Sequence, residues 1–241
     1  MTDRIRVFDV ETTGTDPKED RVVEIAAYDV ERYGLDIAPV ATYLVDPGRR
    51  IPPAASAVHH ITDADIEKAQ APLFGEVWPR LHDSEVKFFA AHNCEFEQGF
   101  MPSPAGVEWI CTYKCALRAW PDAPGHSNQV LRYWLDLDKE IYFIRANATP
   151  AHRAGPDAYV TAFLLATLLS EGERTVADLV AWSKEPKLYT TLTFGKHRGL
   201  KLTEAPFDYL QWLRDGRHDM EADWRHCAKV ELERRKKAAS A

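Results

Sequence analysis

The sequence predicts an α/β fold in which a mixed sheet carries helices packed against it, followed by a small C-terminal hairpin–helix module. Three observations predict it. Strand-like segments come three in a row near the start, after which helical and extended patterns alternate, as in a mixed sheet with helices on it. A long apolar helical run, Asp157 to Leu169, is opened by Pro156 and ended by Gly172, and proline suits a first helical position. The pattern then weakens from Leu179 to Lys187, where Lys184-Glu185-Pro186-Lys187 forms a linker. A main domain over 1–183 and a C-terminal module over 184–241 are therefore expected.

In chain order, Ile5 to Val10 is a strand ended by Thr12-Thr13-Gly14. Arg21 to Val30 is a second strand, and Ala41 to Val45 a third, closed by the turn Asp46-Pro47-Gly48. Thr62-Asp63-Ala64-Asp65 is a helix start with Thr62 as N-cap. Leu73 to Leu81 is helical despite Pro79, Val86 to Ala91 is a short strand, and Asn128 caps a helix through Trp134. Beyond the linker, Leu192 to Leu202 reads as a hairpin and Ala205 to Leu213 as an amphipathic helix. The last ten residues, Leu232 to Ala241, are charged and then featureless, with a frayed end expected.

Of the 241 residues, 45% are hydrophobic and 28% charged, which is ordinary globular composition with ample material for a core. No apolar run approaches the roughly 20 residues of a membrane helix, and Met1-Thr2-Asp3-Arg4-Ile5-Arg6 lacks an apolar signal core. A cytoplasmic protein without membrane contact is expected. Cys94, Cys111, Cys115 and Cys227 lack a second ligand pair at zinc spacing, so buried reduced thiols are expected. Net charge is −7, unevenly distributed: residues 1–185 hold 18 Lys+Arg against 29 Asp+Glu, and residues 186–241 hold 12 against 8. An acidic body with a basic tail region suits an enzyme that collects metal ions and touches a polyanion.

Three acidic motifs carry chemistry. Asp9 and Glu11 are two apart in a strand, so both side chains leave one face. Two carboxylates held together repel unless a cation lies between them, and hard oxygen ligands suit Mg²⁺ or Mn²⁺. Alone, the pair is more often a strand end with two solvated acids. In His92-Asn93-Cys94-Glu95-Phe96-Glu97 an apolar strand delivers a polar run with two acids, which could also be first-turn acids favoured by a helix dipole. In His152-Arg153-Ala154-Gly155-Pro156-Asp157, an acid sits at a helix start and a histidine on the loop before it.

Together, Asp-x-Glu, His-Asn-x-x-Phe-acid and His-x-x-x-x-Asp in this order resemble the histidine-containing branch of the DEDD exonuclease superfamily (DEDDh; DnaQ-like). Phe8-Asp9-Val10-Glu11-Thr12-Thr13-Gly14 is similar to the family's first motif throughout, and Val58-His59-His60-Ile61-Thr62 resembles its accessory His-Gly-Ile-Thr stretch, with His60 in place of glycine. The resemblance covers about residues 4–170, making 1–183 an exonuclease domain, and implies an RNase H-like, five-stranded mixed sheet flanked by helices. It implies that Asp9, Glu11, Glu97 and Asp157 hold two Mg²⁺ or Mn²⁺ ions and that His152 is the general base. The activity implied is 3′–5′ hydrolysis releasing nucleoside 5′-monophosphates. Glu97 departs from the family, which carries aspartate there.

By the same resemblance, Val10, Thr12 and Thr13 face the terminal nucleotide. His60, Ile61 and Asn93 are expected near it, Phe96 is either a wall of that site or a core residue, and His59 points away because one of two adjacent histidines must. Thr193-Phe194-Gly195-Lys196-His197-Arg198-Gly199 and Pro206 to Leu213 resemble the C-terminal module of exodeoxyribonuclease X-like proteins. There, Lys196, His197, Arg198 and Lys201 form either a phosphate-holding surface or a solvated hairpin that stabilises the body. DNA with single-stranded 3′ ends is the expected partner. An exoribonuclease is the alternative enzyme, and a non-catalytic nucleic-acid-binding protein, motivated by Glu97, is the alternative of another class.

Overall fold

A β-rich first third and a helix-rich remainder meet on one sheet in the computed structural model, which describes residues 4–31, 36–215 and 220–239. β1 (Ile5–Thr12) is the central strand of the order β3-β2-β1-β4-β5, with β2 at Val22–Val30, β3 at Ile37–Leu44, β4 at Phe88–Ala91 and β5 at Glu108–Cys111. β1–β2 and β2–β3 pair antiparallel, and β1–β4 and β4–β5 pair parallel. The expected mixed five-stranded sheet is thus present.

Alternation along β1 sorts its side chains. Ile5 and Val7 enter one core cluster, together with Tyr159, Phe163 and Leu164 of α7 (Ala154–Ser170). Phe8 and Val10 enter another on the opposite face, with Val77 and Leu81 of α3 (Phe74–Leu81). Because α7 lies against the sheet and is covered elsewhere, it is apolar nearly all round. Close approach at its start uses small residues: Ala26 of β2 packs on Ala154 and Ala158, and a Cβ on Gly155 would sit 3.2 Å from Thr42 Oγ1. In α2 (Asp63–Ala69), Thr62 and Asp65 form the expected capping box.

Several elements differ from expectation. α7 starts at Ala154 rather than Asp157, placing Pro156 within its first turn, where an amide donor has no intrahelical partner to lose. Ser127, not Asn128, is the N-cap residue of α6 (Asn128–Trp134). The helices α1 (Pro53–His59), α4 (Glu95–Phe100), α5 (Thr112–Ala119) and α8 (Val176–Lys184) add to the flanking layers, and α8 occupies most of the stretch whose pattern weakens. The hairpin expected over Leu192 to Leu202 forms no regular strands. A single antiparallel bridge, Thr191 to Lys201, joins its arms around a 3-10 turn at Gly195–His197. The basic end is helical: α10 (Ala222–Ala238) packs on α9 (Phe207–Asp215) through Trp224, Cys227, Ala228 and Leu232, in a cluster with Leu192, Tyr209, Leu210 and Leu213. Met1 to Asp3, and Ser240-Ala241, where fraying is expected, lie outside the described residues. All four cysteines are free and buried. Among the described residues, no helix is long and apolar enough to cross a membrane.

Candidate metal centre

Asp9 and Glu11 continue the row begun by Ile5 and Val7, so they leave β1 on the face that α7 covers. Asp157, in the first turn of α7, descends on the same point. One carboxylate oxygen from each of Asp9, Glu11 and Asp157 lies within 4.8 Å of the others. Glu97 is the buried residue of α4, 3% exposed, and stands outside this tight trio. Its Oε2 is buried without a hydrogen-bond partner.

The electrostatics of the group are those of acids lacking a counter-ion. Burial, and then the charges of Asp157, Glu97, Glu11 and Glu24, push the Asp9 carboxyl well above the usual carboxylate range. Burial, with Asp157 and Glu24, raises Glu11 to about 8 against the opposing pull of Arg153. Burial also raises Glu97 to about 8, with Cys111 and Glu11 adding to it and its own backbone hydrogen bond opposing. Asp157 is raised by burial, and hydrogen bonds from the His152 N–H and the Gln129 amide oppose the rise.

The nearby guanidinium, Arg153, is engaged elsewhere. It pairs with Glu24 through Nε at 3.0 Å and Nη2 at 2.5 Å, and Glu24 Oε2 also accepts the Ala154 N–H at 2.8 Å. Glu24 is 2% exposed and is the cross-strand partner of Glu11. This pair, with Glu24 buried and Arg153 half-buried, pins the start of α7, and hence His152 and Asp157, to the strand beside β1 and its two acids. Sequence reasoning passed over Glu24, Arg153 and Gln129. A usable signal existed for Glu24: a lone acid inside the apolar run Val22 to Ala27 needs a buried partner. The all-oxygen donor set, its excess negative charge and the orphaned Glu97 Oε2 fit Mg²⁺ or Mn²⁺.

A pH effect follows, with its sign fixed by linkage. Glu11 and Glu97 bind protons more tightly in the folded chain than at the ordinary value of 4.5. Their contribution to stability is complete below that value and is lost as pH rises towards about 8. In EDTA, the melting temperature should therefore fall between pH 5 and 8.5, by on the order of 5–10 °C for a few kcal/mol in a chain of this size. Added Mg²⁺ at the upper end should restore it. A flat or rising metal-free profile, measured by circular dichroism, would contradict this electrostatic picture.

His152 is exposed on the loop before α7, with φ of 60°. Its N–H donates to Asp157 Oδ2 at 2.7 Å, which ties the loop histidine to the metal-ligand candidate. His92 does something different. Its ring bonds Thr112 Oγ1 at 2.9 Å and the His126 carbonyl at 2.7 Å, and burial lowers it to about 4. It is a neutral brace at the end of β4.

The residues expected to meet a terminal nucleotide separate. Val10 points its side chain into the core on the far face, so only its main chain is available on the acidic side. Thr12 Oγ1 donates to the Gly14 carbonyl at 2.5 Å, and Thr13 Oγ1 donates to Asp20 Oδ1 at 2.9 Å while accepting the Arg21 N–H at 3.0 Å. Thr13 is thereby occupied in shaping the loop. The two adjacent histidines differ in burial. His60 is an exposed left-handed C-cap, whereas His59 is buried against the Thr12 backbone and accepts the Ile61 N–H at Nδ1, 3.0 Å away. The reason is the end of α1: the left-handed turn at His60 carries its side chain to solvent. Ile61 is buried with Val23, Ile51 and Ile66. Asn93 adopts φ of 78° with its Oδ1 buried and unpartnered, and Phe96 is half-buried against Phe100 at 5.0 Å.

With this geometry in hand, known proteins provide the comparison. A family model described as Exonuclease matches residues 7–165. Exodeoxyribonuclease 10 of Escherichia coli is 35% identical over 236 residues, covering 95% of this chain and 99% of that protein. DNA polymerase III subunit epsilon of Treponema pallidum is 29% identical over 192 residues, covering 75% and 83% respectively. Among solved structures, Exonuclease X in complex with 5′ overhanging duplex DNA is 32% identical, with a TM-score of 0.61, covering 74% of this chain and 99% of that one. E. coli Exonuclease I in complex with a dA16 oligonucleotide shares the fold at 17% identity and a TM-score of 0.54, over 74% of this chain and 42% of that one.

Proposed function

The chain belongs to the Exonuclease family, and on that footing we propose that it is a 3′–5′ exonuclease, dependent on Mg²⁺ or Mn²⁺, that releases nucleoside 5′-monophosphates from DNA. The observation that carries this reading is the convergence of Asp9, Glu11 and Asp157 within 4.8 Å, while the nearby Arg153 is already paired with Glu24. Asp9, Glu11, Asp157 and Glu97 are the residues that would hold two divalent ions. The chemistry such ions supply when bound is neutralisation of charge on the scissile phosphate and a lowered pKa for water at the site.

The protein's own groups perform the rest. His152 accepts the proton of the attacking water as general base, a role suited to an imidazole exposed on the loop before α7. Asp157 holds the His152 backbone through its 2.7 Å hydrogen bond, and the Glu24–Arg153 pair fixes the loop from behind. The bond broken is that between phosphorus and the 3′-oxygen of the preceding nucleotide. The main chain of β1 near Val10 and Thr12, together with the exposed His60 and with Asn93 and Phe96, forms the surroundings of the terminal nucleotide in this reading.

DNA is the favoured substrate because the relative matched over nearly its full length is an exodeoxyribonuclease by name. Matched single-stranded DNA and RNA oligonucleotides test this choice. Faster mononucleotide release from DNA is expected, and faster release from RNA would make the chain an exoribonuclease.

A further inference from the structure

The loop at 195–199 and helix α9 build an aromatic and basic surface for which the hydrolytic chemistry has no use. Gly195 and Gly199 adopt φ of 68° and 88°, and a Cβ on Gly195 would lie 2.9 Å from Tyr209 Oη, so the loop closes directly onto that tyrosine. The His197 ring meets Tyr209 edge-on at 4.5 Å, and Tyr209 stacks on Trp212 at 5.3 Å with 28° between the planes. Lys196 Nζ lies 6.0 Å from the Tyr209 ring centre. Tyr209 Oη is buried here without a hydrogen-bond partner.

Two features of this surface lack an internal purpose. Trp212 remains 49% exposed although the cluster beneath it is well filled. Lys196 and Arg198 are exposed, and among the described residues neither meets a carboxylate. Lys201, by contrast, pairs with Asp122 at 3.3 Å and so joins the loop to the nuclease body. An exposed indole, joined through Tyr209 to a loop that carries the exposed Lys196 and Arg198, complements an unstacked base with neighbouring phosphates. The surroundings sharpen the selection: residues 186–241 carry a surplus of four positive charges, while residues 1–185 carry a surplus of eleven negative ones. A polyanion is therefore repelled by most of the body and held at this end.

We infer that this surface is a second binding site for single-stranded DNA, with a base stacked on Trp212 and neighbouring phosphates paired with Lys196 and Arg198. The inference rests on the reading that the chain acts on DNA. The C-terminal segment then holds the strand at a distance from the metal centre.

The test compares the full-length wild type, Lys196→Glu/Arg198→Glu, Trp212→Ala and Trp212→Phe. Fluorescence anisotropy with a labelled single-stranded 30-mer is measured in EDTA over a range of salt concentrations. The charge-reversal variant should bind more weakly, with the slope of log affinity against log salt shallower by about 1.4, or roughly 0.7 for each lost phosphate contact. Trp212→Ala should weaken binding by about 5- to 100-fold, while Trp212→Phe keeps most of the affinity. Hydrolysis of a dinucleotide, which needs only the metal centre, should stay within about twofold of wild type in every variant. Unchanged affinity and slope in the charge-reversal variant would overturn the inference, as would equal binding of blunt duplex, whose bases cannot stack on a side chain. A parallel loss of dinucleotide hydrolysis would also overturn it, by showing that the loop acts on the catalytic body. A wild type that binds the 30-mer but leaves the dinucleotide intact would sink the exonuclease reading instead, and the anisotropy would still decide the surface.

Discussion

Replacing Asp9 by asparagine is expected to lower metal-dependent nucleotide release by at least about 10³-fold, because several kcal/mol of transition-state stabilisation pass through its carboxylate. Asparagine preserves the shape of the side chain and removes only the charge. The same substitution should leave the metal-free protein as stable as the wild type or more so. Burial, and then the charges of Asp157, Glu97, Glu11 and Glu24, disfavour a charged Asp9, and the neutral amide removes that cost. Loss of activity with retained or increased melting temperature in EDTA marks a functional acid placed at a cost to folding. Retained activity would remove Asp9 from the metal centre, and a large loss of stability would point to a structural role.

His152→Ala is expected to reduce turnover by about 10² or more while nucleotide binding is largely kept. The division between the two effects comes from the structure. The contact joining His152 to Asp157 is made by the backbone N–H, which alanine retains, so the carboxylate keeps its hydrogen bond. Exposure of the ring means that its removal leaves no cavity. The deficit should therefore fall on kcat, with KM changed little. Near-wild-type turnover would refute the general-base role.

The contrast between the legible and illegible parts of this chain has physical causes. β1 and β2 announce themselves because their apolar runs are bounded by turn residues, and Asp9 and Glu11 stand out because alternation puts two charges on one face. α2 is marked by its capping box. β5 escapes notice because it has only four residues and passes directly into α5 with no turn between them. α10 escapes because its buried stripe is Trp224, Cys227, Ala228 and Leu232, in which two small side chains carry positions usually marked by large ones. The burial of His59 and the exposure of His60 follow from a left-handed residue ending α1, a helix that the sequence does not disclose. Motif position cannot reveal that Glu97 sits buried outside the trio with one oxygen unpartnered, since that depends on how α4 packs against β1. The Glu24–Arg153 pair joins residues 129 apart in sequence, a separation that no local pattern reports.

In the proposed function, the acidic cluster between β1 and α7 hydrolyses DNA from its 3′ end with divalent metal. A 5′-labelled single strand incubated with increasing Mg²⁺ or Mn²⁺, with the products resolved by length and by the position of the phosphate, tests it most directly. A ladder shortening by one nucleotide at a time from the 3′ end is expected, accompanied by nucleoside 5′-monophosphates and abolished by EDTA. No monophosphate at any metal concentration, or a label released at once as a mononucleotide from the 5′ end, would contradict it.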